Sequence, residues 1–214
     1  MSLIHRLKIE KIVAILRHVP AVKMKNTVQA LHEGGINILE VTMNSEGALD
    51  SIHQLRNSYN KEDIVVGAGT VLNLQMAKEA VSAGSQFLIS PNLDLSVIEY
   101  AVEHEIDIWP GVMTPTEMVN AWSAGAKAIK LFPAGFLGPG FITDIKAPLE
   151  HIPIIATGGI TLENQQKYFK AGATAVGLGG KLVNKEMIAD NNFEDLKNLA
   201  AKFVDAVPRE SGIA

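Results

Sequence analysis

The stretch DIVVGAGTVLNLQMAKEAVSAGSQFLISP, residues 63–91, holds one complete structural unit. It opens on a β-branched apolar run, DIVVGAGTV (63–71), and passes into a segment of helical periodicity. SAG at 82–84 supplies a glycine to end that helix, and a second apolar run, QFLISP (86–91), starts at once. Strand, helix and strand joined this tightly require parallel strands with a right-handed crossover.

The unit recurs in both directions. Upstream lie IVAILR (12–17) and NILEVTM (37–43). Downstream lie DIWPGV (107–112), AIKLFP (128–133), PIIATGG (153–159) and AVGLGG (175–180). Each run leads into helical periodicity. EGG (33–35), SAG (123–125) and KAG (170–172) mark further helix ends. Thr114-Pro115-Thr116-Glu117 opens one helix with a capping hydroxyl, a first-turn proline and a carboxylate three residues after the cap. Eight units predict an α/β fold, a (β/α)8 TIM barrel, occupying 1–214 as a single domain near the ~200-residue lower limit for that fold. Segment 3–11 fits a short N-terminal helix across the barrel bottom, and 192–207 the eighth helix. The alternative is an open doubly wound sheet, but no G-x-G-x-x-G opens the first helix.

The bulk composition narrows the function. Of 214 residues, 47% are hydrophobic, enough for a large core, and the net charge of −4 leaves no overall basic footprint for nucleic acid. Without cysteine there is no disulfide framework or thiolate metal site, and a cytoplasmic setting is expected. MSLIHRLKIEKIVAILR carries charge throughout, unlike a signal peptide, and no apolar stretch is long enough to span a bilayer.

Side chains alternate along a strand, one set facing the barrel interior and the other the helices. In AIKLFP, Ile129 and Leu131 suit the helix layer, which turns Ala128, Lys130 and Phe132 inward. By the same parity Ile38, Glu40 and Thr42 face in from the second strand, and Val13, Ile15 and Arg17 from the first. Lys130, Glu40 and Arg17 then converge at the C-terminal ends of strands, where barrel active sites form. Each alone has a plainer reading. A lysine near a strand end also reaches water with its stem buried, and Glu40 could simply pair with Arg17. Together they are an unusual set for layers normally filled by Val, Ile and Leu.

An amine withdrawn from water is disfavoured as ammonium, and a neutral amine attacks ketones to form a Schiff base. A neighbouring carboxylate can move the protons that bond cleavage requires. Metal-stabilised enolate chemistry is the rival, but only His18 among the histidines follows a strand, so no metal and no cofactor are expected. The glycines of ATGGI (156–160) and GLGGK (177–181), after the seventh and eighth strands, fit a phosphate site or tight turns. In GAGT (67–70), Gly67 and Gly69 could let a ligand approach the backbone, and Thr70 offers a hydroxyl.

The ordered set LEVTMNSEGALDSI, VGAGTVLN, FLISPNL, PGVMTPTE, IKLFPAG and TGGI resembles the 2-keto-3-deoxy-6-phosphogluconate (KDPG) and 4-hydroxy-2-oxoglutarate (KHG) aldolase family over nearly the whole chain. The resemblance implies a metal-free homotrimeric barrel lyase of Entner–Doudoroff-type carbohydrate metabolism, yielding pyruvate and glyceraldehyde 3-phosphate from a small-molecule substrate, with no membrane or nucleic-acid partner. It implies that Lys130 forms the imine and Glu40 transfers protons. It also implies that Arg17 and Thr70 contact the pyruvyl end, that Pro91 and Phe132 line the pocket, and that Thr157, Gly158, Gly159, Gly179 and Gly180 hold the phosphate. Three positions depart from the commonest pattern. Asn44 stands where gluconate-type members often carry arginine, and MNSE with GPGF (138–141) is similar to relatives acting on the 6-phosphogalactonate epimer. Lys181 replaces a serine, and PAG ends in Gly135 where PAE is usual. A non-covalent phosphate-binding barrel isomerase or synthase, and a sugar-phosphate sensor, are the other readings.

Overall fold

A computed structural model describes residues 1–208. Helix α1 (Leu3–Glu10) precedes β1 (Ile12–Leu16), α2 (Ala21–Glu33), β2 (Ile38–Thr42), α3 (Ala48–Ser58), β3 (Val65–Gly69) and α4 (Leu74–Ser82). Next come β4 (Phe87–Ile89), α5 (Leu95–Glu103), β5 (Asp107–Trp109), β6 (Gly111–Val112), α6 (Pro115–Ser123) and β7 (Ile129–Leu131). The chain continues through α7 (Ala134–Lys146), β8 (Ile154–Thr157), α8 (Gln165–Lys170), β9 (Ala175–Leu178), α9 (Lys185–Ala189) and α10 (Phe193–Asp205).

All strand pairs are parallel, in the order β5-β4-β3-β2-β1-β9-β8-β7-β6. The two ends of that order are halves of one run, so the chain itself closes the (β/α)8 TIM barrel through Pro110. The sequence reads 107–112 as one strand; the structure divides it. Pro110 has no N–H to give the ladder. At Gly111 the backbone of Pro91 comes so close that a Cβ would lie 2.2 Å from its carbonyl carbon. The strand therefore bends, and the Gly111 N–H donates instead to Ser90 Oγ at 3.4 Å.

The expected parity holds. Val13, Ile38, Val65, Phe87, Trp109, Ala128, Ile155 and Ala175 form the inner cluster, and Leu7 of α1 closes it from below. Ile12, Leu39, Val41, Ile129 and Leu131 belong to the outer layer beneath the helices. The Thr114–Glu117 capping box forms as read. Gly35 takes the left-handed conformation (φ 90°) that ends α2. Gly34, the C-cap of α2, has a second task. A Cβ there would sit 2.5 Å from that of Ala200, so its bare backbone lets α10 dock against α2 and complete the helical ring. The short α9 before α10 is an element the sequence reading lacks. No helix among the described residues is long and apolar enough to cross a membrane.

Candidate active site

β7 carries Lys130 between Gly111 of β6 and Ile155 of β8, while β2 carries Glu40 between Ile15 of β1 and Gly67 of β3. Both side chains point into the barrel, Lys130 4% and Glu40 1% exposed. Lys130 Nζ lies 4.0 Å from Glu40 Oε1, too far for a hydrogen bond, and that oxygen has no hydrogen-bond partner among the described residues. Burial pushes the Glu40 carboxyl above its ordinary range. The charges of Lys130 and Arg17 pull it back without cancelling the effect, so desolvation outweighs the pairing. A carboxyl tuned upward can hold a proton nearer neutral pH and pass it on, which suits acid–base work.

Arg17 stands at the mouth just after β1, exposed, and its guanidinium donates to Thr70 Oγ1 at 3.3 Å. Thr70 has φ 59°, a left-handed conformation that a β-branched residue rarely adopts. Its hydroxyl is thereby turned to the mouth side of β3, within reach of Arg17. Phe132 flanks the amine, its ring centroid 5.4 Å from Lys130 Nζ, and Pro91 is half-buried against Gly111.

The glycines of β3 do something other than admit a ligand. A Cβ on Gly67 would lie 2.5 Å from the Phe87 ring, and one on Gly69 would lie 1.7 Å from Glu40 Oε1. The space is already taken, by the aromatic floor of the barrel and by the Glu40 carboxylate. Phe87 stacks on Trp109 with ring centroids 4.5 Å apart, closing the barrel below the amine. The missing Cβ at Gly69 is thus what lets Glu40 occupy its position. Gly69→Ala overpacks this contact, lowers stability by about 1–3 kcal/mol and displaces the carboxyl. Chemical denaturation with parallel turnover assays checks this; unchanged stability and turnover would refute it.

At the far side of the mouth, Gly158 and Gly159 take φ of 90° and 76° in succession. The start of α7 packs directly on this turn, with the Gly135 N–H donating to Gly158 O at 2.7 Å. A Cβ on Gly135 would come within 2.9 Å of Gly158 O and Gly159 Cα, which accounts for glycine in PAG. Thr157 does not join the turn; it shares the inward parity of Ile155, and its hydroxyl lies over Gly177. Gly179 and Gly180 face open space at the end of β9. Lys181 beyond them is exposed. Glu163, held below the ordinary carboxylate range chiefly by the Thr161 side chain and its own backbone, also feels the Lys181 charge. Among the described residues no group of three or more His, Cys, Asp or Glu side chains could hold a metal ion.

Residues 3–199 match the family model described as KDPG and KHG aldolase. The chain is 34% identical over 196 residues to the 2-dehydro-3-deoxy-6-phosphogalactonate aldolase of Escherichia coli, covering 91% of this chain and 93% of that one. It is 32% identical to the 2-dehydro-3-deoxy-phosphogluconate aldolase of Haemophilus influenzae, covering 96% and 97% respectively. Among solved structures, the KDPG aldolase of Legionella pneumophila, with pyruvate captured at low pH as a covalent carbinolamine intermediate, superposes with a TM-score of 0.87 at 26% identity, covering 94% of this chain and 97% of that one.

Proposed function

The chain belongs to the KDPG and KHG aldolase family and is an aldolase, a carbon–carbon lyase, and we propose that it works through an imine on Lys130. The observation that carries this reading is an amine inside the barrel, 4.0 Å from a carboxyl whose proton affinity burial has raised. A non-covalent isomerase or synthase would need neither group there. The carbinolamine in the Legionella relative supports the same chemistry.

The substrate is a six-carbon 2-keto-3-deoxy-6-phospho sugar acid, with 4-hydroxy-2-oxoglutarate as a shorter analogue. Lys130 Nζ adds to the C2 ketone, and loss of water leaves a protonated imine. Glu40 takes the proton of the C4 hydroxyl as the C3–C4 bond breaks, and that bond's electron pair flows into the imine to give an enamine. Glyceraldehyde 3-phosphate departs, or glyoxylate from the shorter analogue. Glu40 returns the proton to C3, and water hydrolyses the imine to release pyruvate and the free amine. Arg17 and Thr70 receive the substrate carboxylate at the mouth, while Phe132 and Pro91 wall the pyruvyl group.

The turns at Gly158–Gly159 and Gly179–Gly180 receive the phosphate through backbone N–H groups. Gly180 offers a clean check, because a methyl group there meets nothing. Gly180→Ala should leave stability within about 0.5 kcal/mol of wild type. It should raise KM for the phosphorylated substrate and leave KM for hydroxyoxoglutarate alone. An equal rise for both would remove the phosphate from this turn.

Gluconate-derived phosphate, as in an Entner–Doudoroff-type sequence, is the first reading. Asn44 within MNSE is the observation favouring the galactonate epimer as the second. Comparing kcat/KM on both epimers and on hydroxyoxoglutarate tests the function and ranks them; no pyruvate from any of the three would overturn it. A homotrimer is proposed from kinship, with exposed Leu95, Val119 and Phe136 supplying apolar surface, and sedimentation measures it.

A further inference from the structure

Ser45 lies outside the imine chemistry, yet it joins the turn after β1 to the end of β2 at the mouth. Its N–H donates to Thr42 O at 2.9 Å, folding the end of β2 into a turn. Its hydroxyl lies 2.9 Å from that of Thr42, which is fully buried on the inward face two residues beyond Glu40. The same Ser45 oxygen accepts the His18 backbone N–H at 2.9 Å. Accepting there leaves its own proton free to donate to Thr42 Oγ1.

The His18 N–H belongs to the peptide that joins Arg17 to His18, so holding it fixes the plane on which the Arg17 backbone ends. His18 itself sits in the left-handed region, φ 56°, a conformation that needs an outside hold to persist. From this anchored backbone the Arg17 guanidinium reaches Thr70, whose φ of 59° is also left-handed. The β2 turn is tied to β3 separately, by the Met43 N–H on Gly69 O at 2.8 Å. Ser45 therefore locks the Arg17 turn to the strand that carries Glu40, keeping the guanidinium in register with the catalytic pair.

We propose that Ser45 is a positioning residue that orients Arg17 for the carboxylate of the 2-keto acid. The inference rests on the imine reading above. A lost hydrogen bond of ordinary worth corresponds to a change of about 3- to 10-fold in affinity.

Borohydride trapping of the pyruvate adduct, titrated with pyruvate, separates binding from chemistry. Ser45→Ala should need about 3- to 10-fold more pyruvate for half-maximal trapping while reaching the wild-type extent at saturation. In cleavage assays the change should fall in KM and spare kcat. Ser45→Thr, which keeps the hydroxyl, should recover most of the affinity. The deciding arm is Arg17→Ala. If Ser45 acts through Arg17, adding Ser45→Ala to that background changes the titration no further. A Ser45→Ala midpoint equal to wild type, or an undiminished shift on top of Arg17→Ala, would overturn the proposal. Failure of the wild type to trap pyruvate would instead defeat the imine reading, and this inference with it.

Discussion

Lys130→Ala should take up no pyruvate on borohydride reduction and should cleave no substrate. The expected loss of turnover is on the order of 10⁴-fold or more, because the covalent electron sink is lost with the amine. Lys130 enters the barrel from β7 at 4% exposure, and the only side chain facing it within 4.0 Å with opposite charge is Glu40, as far as the described residues go. Removing the amine leaves Glu40 without that charge, so alanine alone confounds chemistry with a disturbed core. Lys130→Arg separates the two. It keeps a cation opposite Glu40 but offers a guanidinium that stays protonated and does not form an imine. A folded Lys130→Arg protein, judged by its circular dichroism, should be as inactive as the alanine variant. Substantial turnover in either would mean that the amine is not the nucleophile.

Glu40→Gln should lose cleavage by roughly 10²–10⁴-fold, the range for a proton-transfer group, while still forming some imine with pyruvate. It should also become the more stable protein as pH rises. Burial raises the Glu40 carboxyl above its ordinary value of 4.5, so the folded protein holds this proton where the unfolded chain has released it. The contribution to stability is complete below the unfolded value. It is lost as pH climbs toward the raised folded value, since ionisation is easier in the unfolded chain. Glutamine does not titrate, so the difference in Tm, variant minus wild type, should grow as pH rises from the ordinary carboxylate value of 4.5 toward the raised folded one. A difference that stayed flat or shrank would place the Glu40 carboxyl in a far better solvated setting than the barrel interior provides.

Much of this site is legible in the sequence because it follows from alternation along strands. Once Ile129 and Leu131 are assigned to the helix layer, Lys130 must face in, and the same step turns Glu40 inward from ILEVT. What alternation cannot supply is the identity of a neighbour across the fold. Gly67 and Gly69 announce a space, but only the closed barrel reveals that Phe87 and Glu40 fill it. Pro110 divides its strand because Pro91, nineteen residues earlier by simple count, presses on Gly111. Gly34 reads as a helix terminator and does cap α2, but its contact with α10 shows only in the folded chain. Ser45 reads as an ordinary loop serine until the β1 end is laid beside it.

The central claim is covalent capture of a ketone by the Lys130 amine. The direct measurement is incubation of the wild-type protein with pyruvate and borohydride, followed by digestion and mass mapping of the modified peptide. Imine chemistry at this site requires one reduced pyruvyl group, on Lys130. An unmodified protein at saturating pyruvate, or an adduct confined to another lysine, would contradict it.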